Sequence, residues 1–226
     1  MGWTGLQMDV DDDDAVTRGV QGVLSTYGRI DAVVACAGWG LAGPAETTTI
    51  ADGKAQMESN FWGVVRVVNA SLPAMRHQGG GRLIVMSSIG GLLGIPFQAF
   101  YSASKFALEG YAEALGYEVA PFNVDVTLIE PGNVKTGFTA SRRILDARGD
   151  SPYVSASAKA ISAMVRDEQH GASPDVVATL VEKVLSSRRP PRRVSVGKRF
   201  ERFAVVARRI LPFRLFEASA KSSLGV

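Results

Sequence analysis

The chain has 226 residues, 46% of them hydrophobic and 21% charged, which is enough for one well-buried α/β domain and too few for two comfortable ones. A single cysteine, Cys36, excludes an internal disulfide framework, and the only two histidines, His77 and His170, stand away from any cysteine or acidic cluster, which argues against zinc and serine-hydrolase sites. The net charge of +3 hides an asymmetry: ten arginines and lysines lie between Arg188 and Arg214 against one acid, Glu201.

In chain order, the opening residues carry neither a basic region nor an apolar signal core. The myristoylation pattern fails at Leu6, and no run is long enough to span a membrane, so a cytoplasmic protein is expected. Leu6–Val10 reads as a short strand. The acidic run Asp11–Asp14 then opens a helix that continues to about Tyr27, with Gly28 as its C-cap; acids at this end cap free amides and complement the macrodipole, a better reading than a metal site. Asp31–Ala37 is an apolar strand running into Gly38-Trp-Gly-Leu-Ala-Gly43, a literal G-x-G-x-x-G. A phosphate-binding fingerprint needs its last glycine in the first turn of a helix, whereas Pro44 and the residues after it delay any helix to about Ile50, so this match is set aside. From about Lys54 to Met75 the chain is helical and apolar nearly all round, as for a helix with the sheet on one side and a partner subunit on the other. Asn60 lies within it, either as a satisfied core amide or as part of a site.

Leu83–Met86 has the short apolar run of a doubly covered parallel strand, and Ser87-Ser88 leaves it at the carboxyl end, where open α/β sheets hold their ligands. Gly90, Gly91, Gly94 and Pro96 make a loop, and from about Tyr101 the pattern is helical, with Ala103, Ala107, Gly110 and Ala114 forming a small-residue face. Tyr101 and Lys105, at i and i+4, project from the same side. A neighbouring ammonium favours the phenolate and draws a tyrosine pKa from about 10 towards neutrality, so the phenol can trade protons with a carbinol. Ser88, thirteen residues before Tyr101, could hydrogen-bond the same substrate oxygen. Val124–Ile129 is a further strand, broken by Glu130-Pro131-Gly132. Residues 137–172 are polar and weakly patterned, as for a mobile substrate lid, Pro174–Leu185 is an amphipathic helix, and Val194–Val196 is a last short strand. Within a basic extension over 198–226, Phe200, Phe203, Val206, Ile210 and Leu211 recur at helical spacing with arginines opposite, until Pro212. That helix could lie on an anionic membrane, cover the substrate pocket, pack on a neighbouring subunit or, as the commonest case, pack as an ordinary C-terminal helix, and its arginines lack the interleaved base-stacking aromatics that nucleic-acid binding needs.

The serine, the thirteen-residue interval, Tyr-Ser-Ala-Ser-Lys over 101–105 and Pro-Gly-Asn-Val-Lys-Thr over 131–136 resemble the short-chain dehydrogenase/reductase family. Gly-Gly-Leu-Leu-Gly-Ile-Pro-Phe and Lys-Phe-Ala-Leu-Glu-Gly resemble its hydroxysteroid and retinol dehydrogenase branch. The resemblance implies a Rossmann-like, doubly wound parallel sheet as a single domain over 1–226, NAD or NADP as cofactor, a homo-oligomer, and a lipophilic secondary alcohol or ketone as substrate. By the same resemblance, Tyr101 is the general acid/base, Lys105 lowers its pKa and orients the ribose, Ser88 polarises the substrate oxygen, and Asn60 anchors a relay water. Asp9 would contact adenine, Ala37 and Gly38 the adenosine ribose, and Pro131, Gly132, Val134 and Thr136 the nicotinamide carboxamide and a phosphate. Two departures stand out. Ala35-Cys36 replaces a pair of asparagines, and no glycine-rich strand-turn-helix precedes Leu6, so the sheet is expected to lack its first two strands and the chain as written to hold a dinucleotide weakly. A catalytically impaired relative that acts by association is the alternative reading.

Overall fold

The computed structural model describes residues 2–145, 147 and 149–224; residues 146 and 148 of the expected lid and 225–226 of the C-terminal extension lie outside them. Its core is a parallel sheet of β1 (Ala32–Ala35), β3 (Gly81–Met86), β4 (Val124–Pro131) and β6 (Arg193–Val196), adjacent in that order. Period-two alternation assigns the two faces. Leu83, Val85, Val126 and Leu128 pack with α1 (Asp13–Tyr27), α3 (Gly63–His77) and α4 (Ala99–Val119), while Ile84, Met86 and Ile129 meet α7 (Pro174–Ser186) on the other side. Apolar strands covered on both faces by crossover helices explain the unbroken hydrophobic runs. Among the described residues no helix is long and apolar enough to cross a membrane.

Local chemistry sets the element ends. The Asp12 carboxylate accepts from the amides of Asp14 and Ala15 to start α1, and Gly28, at φ 74°, ends it in the left-handed conformation that only glycine enters without cost. The G-x-G-x-x-G stretch forms β2 (Leu41–Ala42), paired in parallel with β5 (Arg143–Ile144), and Thr49 caps α2 (Ile50–Met57) through Asp52 N.

Four expectations are corrected. Leu6–Val10 is not a strand: no described strand offers it a ladder, and it lies against helices instead, with Leu6 and Met8 over Gly19 and Val10 over Gly63. The helix expected from Lys54 to Met75 is interrupted by a π turn at Glu58–Trp62. β4 is not broken at Glu130 but runs through Pro131, because Glu130 and Pro131 pair with Ser195 and Val196 of β6. The weakly patterned 137–172 contains α5 (Phe138–Ser141) and the long α6 (Val154–Gln169), whose buried face of Ser157, Ala160, Ala163 and Met164 is too small-sided to register as an apolar stripe. The chain ends with α8 (Arg199–Ile210) and α9 (Phe213–Leu224), the latter beyond the expected stop at Pro212.

Candidate active site

The carboxyl ends of β3 and β4 and the first turns of α4 build the site. Ser87 N prolongs the β3–β4 ladder by donating to Ile129 O at 2.8 Å, after which Ser88 turns out of the sheet in an extended conformation. The Ser88 hydroxyl accepts from Gly90 N at 3.1 Å and donates to Pro131 O at 3.4 Å, which pins it between both strand ends, and it lines the same cavity as the Tyr101 phenol. Ser102 Oγ accepts from Ile95 N at 3.1 Å and ties the intervening loop to α4.

Tyr101 and Lys105 lie buried on the inner face of α4, as their four-residue spacing requires. The electrostatics differ from the sequence expectation. Burial holds the Tyr101 phenol above its ordinary pKa; the nearby Ser88 hydroxyl draws it down, Glu168 pushes it up, and Arg142 draws it down. Lys105 Nζ donates to Met86 O at 2.9 Å and stands 5.9 Å from the Tyr101 ring centre, so its charge is spent first on the end of β3. Burial lowers the Lys105 pKa to about 8, opposed by Cys36 and Glu109. Tyr101 is therefore a neutral phenol at pH 7, and Lys105 is an ammonium near its titration point. An ammonium has three donors and Met86 O takes one, which leaves the others for a ligand.

Asn60 sits fully buried in the π turn, a distortion frequent at functional sites. Its Oδ1 accepts from Trp39 N at 3.0 Å, and its Nδ2 donates to Trp39 O at 3.0 Å and to Ser104 Oγ at 3.1 Å. The side chain thus clamps the loop after β1 onto α4, with both of its Nδ2 hydrogens given to protein acceptors. A Cβ on Gly38 would stand 2.9 Å from Asn60 Oδ1, so this close approach needs glycine.

A cavity of about 1000 Å³ joins these parts. Gly38, Ser88, Tyr101, Lys105, Pro131, Gly132, Val134 and Thr136 line it, and Leu93, Ile95, Phe138, Met164 and Val181 give it apolar walls. Asn60 and Ala37 do not line it, and Asp9 is exposed, its carboxylate accepting from Asp11 N at 3.0 Å. Three contributors escaped the sequence reading. Phe138 places its ring 5.8 Å from that of Tyr101, and Arg142 and Glu168 form a buried ion pair whose charges act on the phenol. No short-range pattern joins Arg142 to Glu168, since their meeting depends on how α6 packs. Among the described residues no group of His, Cys, Asp and Glu could hold a metal ion.

Two hydroxyls, Ser88 and Tyr101, can thus hold one carbonyl or carbinol oxygen in a desolvated pocket, with the phenol as proton donor. The residues present suit a nicotinamide nucleotide beside them: Lys105 lines the cavity with donors beyond the one given to Met86 O, which would hold ribose hydroxyls, and Pro131, Gly132, Val134 and Thr136 line the same cavity.

The family model for short chain dehydrogenases matches residues 2–145. A 3-ketodihydrosphingosine reductase from Bacteroides thetaiotaomicron is 40% identical over 85% of this chain and 72% of its own length. Bovine retinol dehydrogenase 8 is 34% identical over 87% of this chain, which spans 65% of that enzyme. Among solved structures, a short-chain dehydrogenase from Streptomyces avermitilis superposes with a TM-score of 0.78 at 27% identity, over 95% of this chain and 75% of the other.

Proposed function

The chain belongs to the short-chain dehydrogenase/reductase family and is an oxidoreductase, and from that premise we propose that it interconverts a lipophilic secondary alcohol and its ketone with NAD or NADP through Ser88, Tyr101 and Lys105. The observation that carries this reading is that Ser88, Tyr101 and Lys105 come together in the lining of one cavity with apolar walls. Relatives named 3-ketodihydrosphingosine reductase and retinol dehydrogenase support the same substrate class.

The nicotinamide, when bound, gives or takes the hydride, and every other task falls to this chain. Ser88 donates to the carbonyl oxygen and holds it still. Tyr101, a neutral phenol at pH 7, has the protonation state that reduction requires and gives its proton to that oxygen as charge develops there. Lys105 orients the ribose hydroxyls and, while charged, stabilises the phenolate left behind. Asn60 acts here as a positioning residue, setting the loop at Gly38 against α4. The free, exposed Cys36 fits a reducing, cytoplasmic setting.

The test is turnover of the purified chain on a long-chain ketone, a steroid ketone and a short polar ketone, with NADH and NADPH raised to millimolar concentration because the chain as written is expected to hold the nucleotide weakly. The apolar ketones are expected to react, and Tyr101→Phe to lower turnover by ~10²-fold or more with folding unchanged. Preference for the polar ketone would overturn the substrate class, and near-normal turnover of Tyr101→Phe the mechanism.

A further inference from the structure

The helix α8 carries its apolar stripe on the wrong side for a packed terminal helix. Its roll is fixed by Glu201, a buried carboxylate that accepts from Lys198 N at 2.8 Å, from Asn133 N at 3.1 Å and from Asn133 Nδ2 at 2.8 Å, and that abuts Gly132, where a Cβ would collide with it. With Glu201, Val205 and Ala207 turned inward, Phe203 is 69% and Ile210 74% exposed, and Val206 is exposed between them. These three residues, at i, i+3 and i+7, form one continuous outward stripe. Leu211, Phe213 and Leu215 extend the exposed apolar surface past the turn into α9.

Charge accompanies it. Arg199 and Arg202 flank the stripe and line a recess of about 710 Å³ between β6 and α8 that also touches Phe203 and Val206. Arg193, which lines it too, is already paired with Glu109, Glu113 and Glu130, so among the described residues the free cations of the recess are Arg199 and Arg202. The sole acid of α8 is Glu201, which is buried in its cap, so the exposed face of that helix is cationic and apolar; Glu217, one turn after Phe213 on α9, has its charge matched by Lys221 at 2.8 Å. Phe200 and Ala204, on the side of α8 next to the stripe, line the catalytic cavity.

We propose that this face of α8 and the start of α9 docks on an anionic phospholipid bilayer, the phenylalanines and Ile210 entering the acyl boundary and Arg199 and Arg202 meeting headgroup phosphates. A stripe of large apolar side chains bordered by arginines, with the one acid of α9, Glu217, paired to Lys221, has the composition of an interfacial helix. A partner copy would find the apolar half of this surface but no acidic counterpart for its arginines. Docking also sets the wall of the cavity made by Phe200 and Ala204 against the membrane.

The experiment is sedimentation of the full chain with vesicles of phosphatidylcholine alone and of phosphatidylcholine mixed with phosphatidylserine, at low and high salt. Binding to the anionic vesicles, weakened by salt, is expected. The pair Phe203→Ser and Ile210→Ser, which touches neither the catalytic residues nor the cavity, should lower the bound fraction at least about tenfold with circular dichroism unchanged. The pair Arg199→Glu and Arg202→Glu should abolish the preference for phosphatidylserine. No binding to anionic vesicles, binding that survives Phe203→Ser with Ile210→Ser, or a dimer that those serines split would each overturn the proposal. The readout is independent of turnover, so it stands or falls apart from the catalytic assignment.

Discussion

At Lys105, a single buried charge ties stability to function. Its pKa falls from 10.5 in an open chain to about 8 in the fold because burial penalises the ammonium. Below pH 8 both folded and unfolded chains hold the proton, and the fold bears the full cost of the buried charge. Between about 8 and 10.5 the unfolded chain binds more protons than the folded one, so this cost fades and stability rises with pH. Lys105→Met, of similar length and uncharged, should therefore be more stable than the native chain at neutral pH, by on the order of 3 kcal/mol. That advantage should shrink as pH climbs through the window, as urea midpoints at pH 7 and pH 10 would show. A gap that stays constant with pH would mean that Lys105 is not desolvated. If the ammonium holds the nucleotide ribose, nucleotide affinity of the native chain should also decline above pH 8, and that of Lys105→Met should not.

Among the elements, α5 and α6 matter most, because they turn a stretch that reads as a loose lid into a wall of the site. Arg142, just past α5, and Glu168, near the end of α6, form a buried ion pair, and Thr139 adds a hydrogen bond to Glu168 at 2.6 Å. Removing one partner of such a pair leaves a desolvated charge and typically costs about 3–5 kcal/mol, whereas replacing both by apolar residues of similar volume can be neutral. Glu168→Leu alone is expected to lower the urea midpoint strongly, and Arg142→Met combined with Glu168→Leu to restore most of it. Equal losses in the single and double variants would show that the pair does not act as a unit. Glu168 also pushes the Tyr101 pKa up while Arg142 draws it down, so the same elements tune the proton donor from outside the catalytic helix.

For the whole molecule, the outer surface of α4 is the feature that a lone subunit does not explain. Ala103, Phe106, Gly110, Ala114 and Tyr117 fall on one stripe of α4, all exposed, and Trp62 is exposed on the π turn that packs beside α4. A small-residue stripe bracketed by aromatics on the 21-residue α4 suits close helix–helix contact between copies. Light scattering is expected to give a dimer or larger, and Phe106→Glu to shift it towards monomer. A stable monomer of the unaltered chain at micromolar concentration would refute the interface. This surface is carried by α4, and the proposed membrane face by α8 and α9, so the Phe106 and Phe203 variants test the two independently.

What the sequence determined by itself was whatever short-range periodicity and stereochemistry control. The apolar runs of β1, β3 and β4, the opening of α1 by the acidic run Asp11–Asp14 and its end at Gly28, and the Tyr101–Lys105 spacing each depend on neighbours within about one helical turn or one strand. Ser88 was legible because a strand end fixes where the next residue points. Tertiary structure decided the rest, where the outcome depends on a distant partner. Leu6–Val10 has strand-like residues but no ladder to join, so it rests on α1 and α3 through its side chains. Glu130 and Pro131 stay in β4 because β6 supplies their register. The small-sided α6 is a helix that matters through the Arg142–Glu168 pair. The pKa of Tyr101 is set by burial more than by the lysine four residues on, because Lys105 reaches Met86 O first. The outward roll of α8 is dictated by Glu201 binding the backbone of Asn133, sixty-eight residues earlier, which no pattern within the helix records.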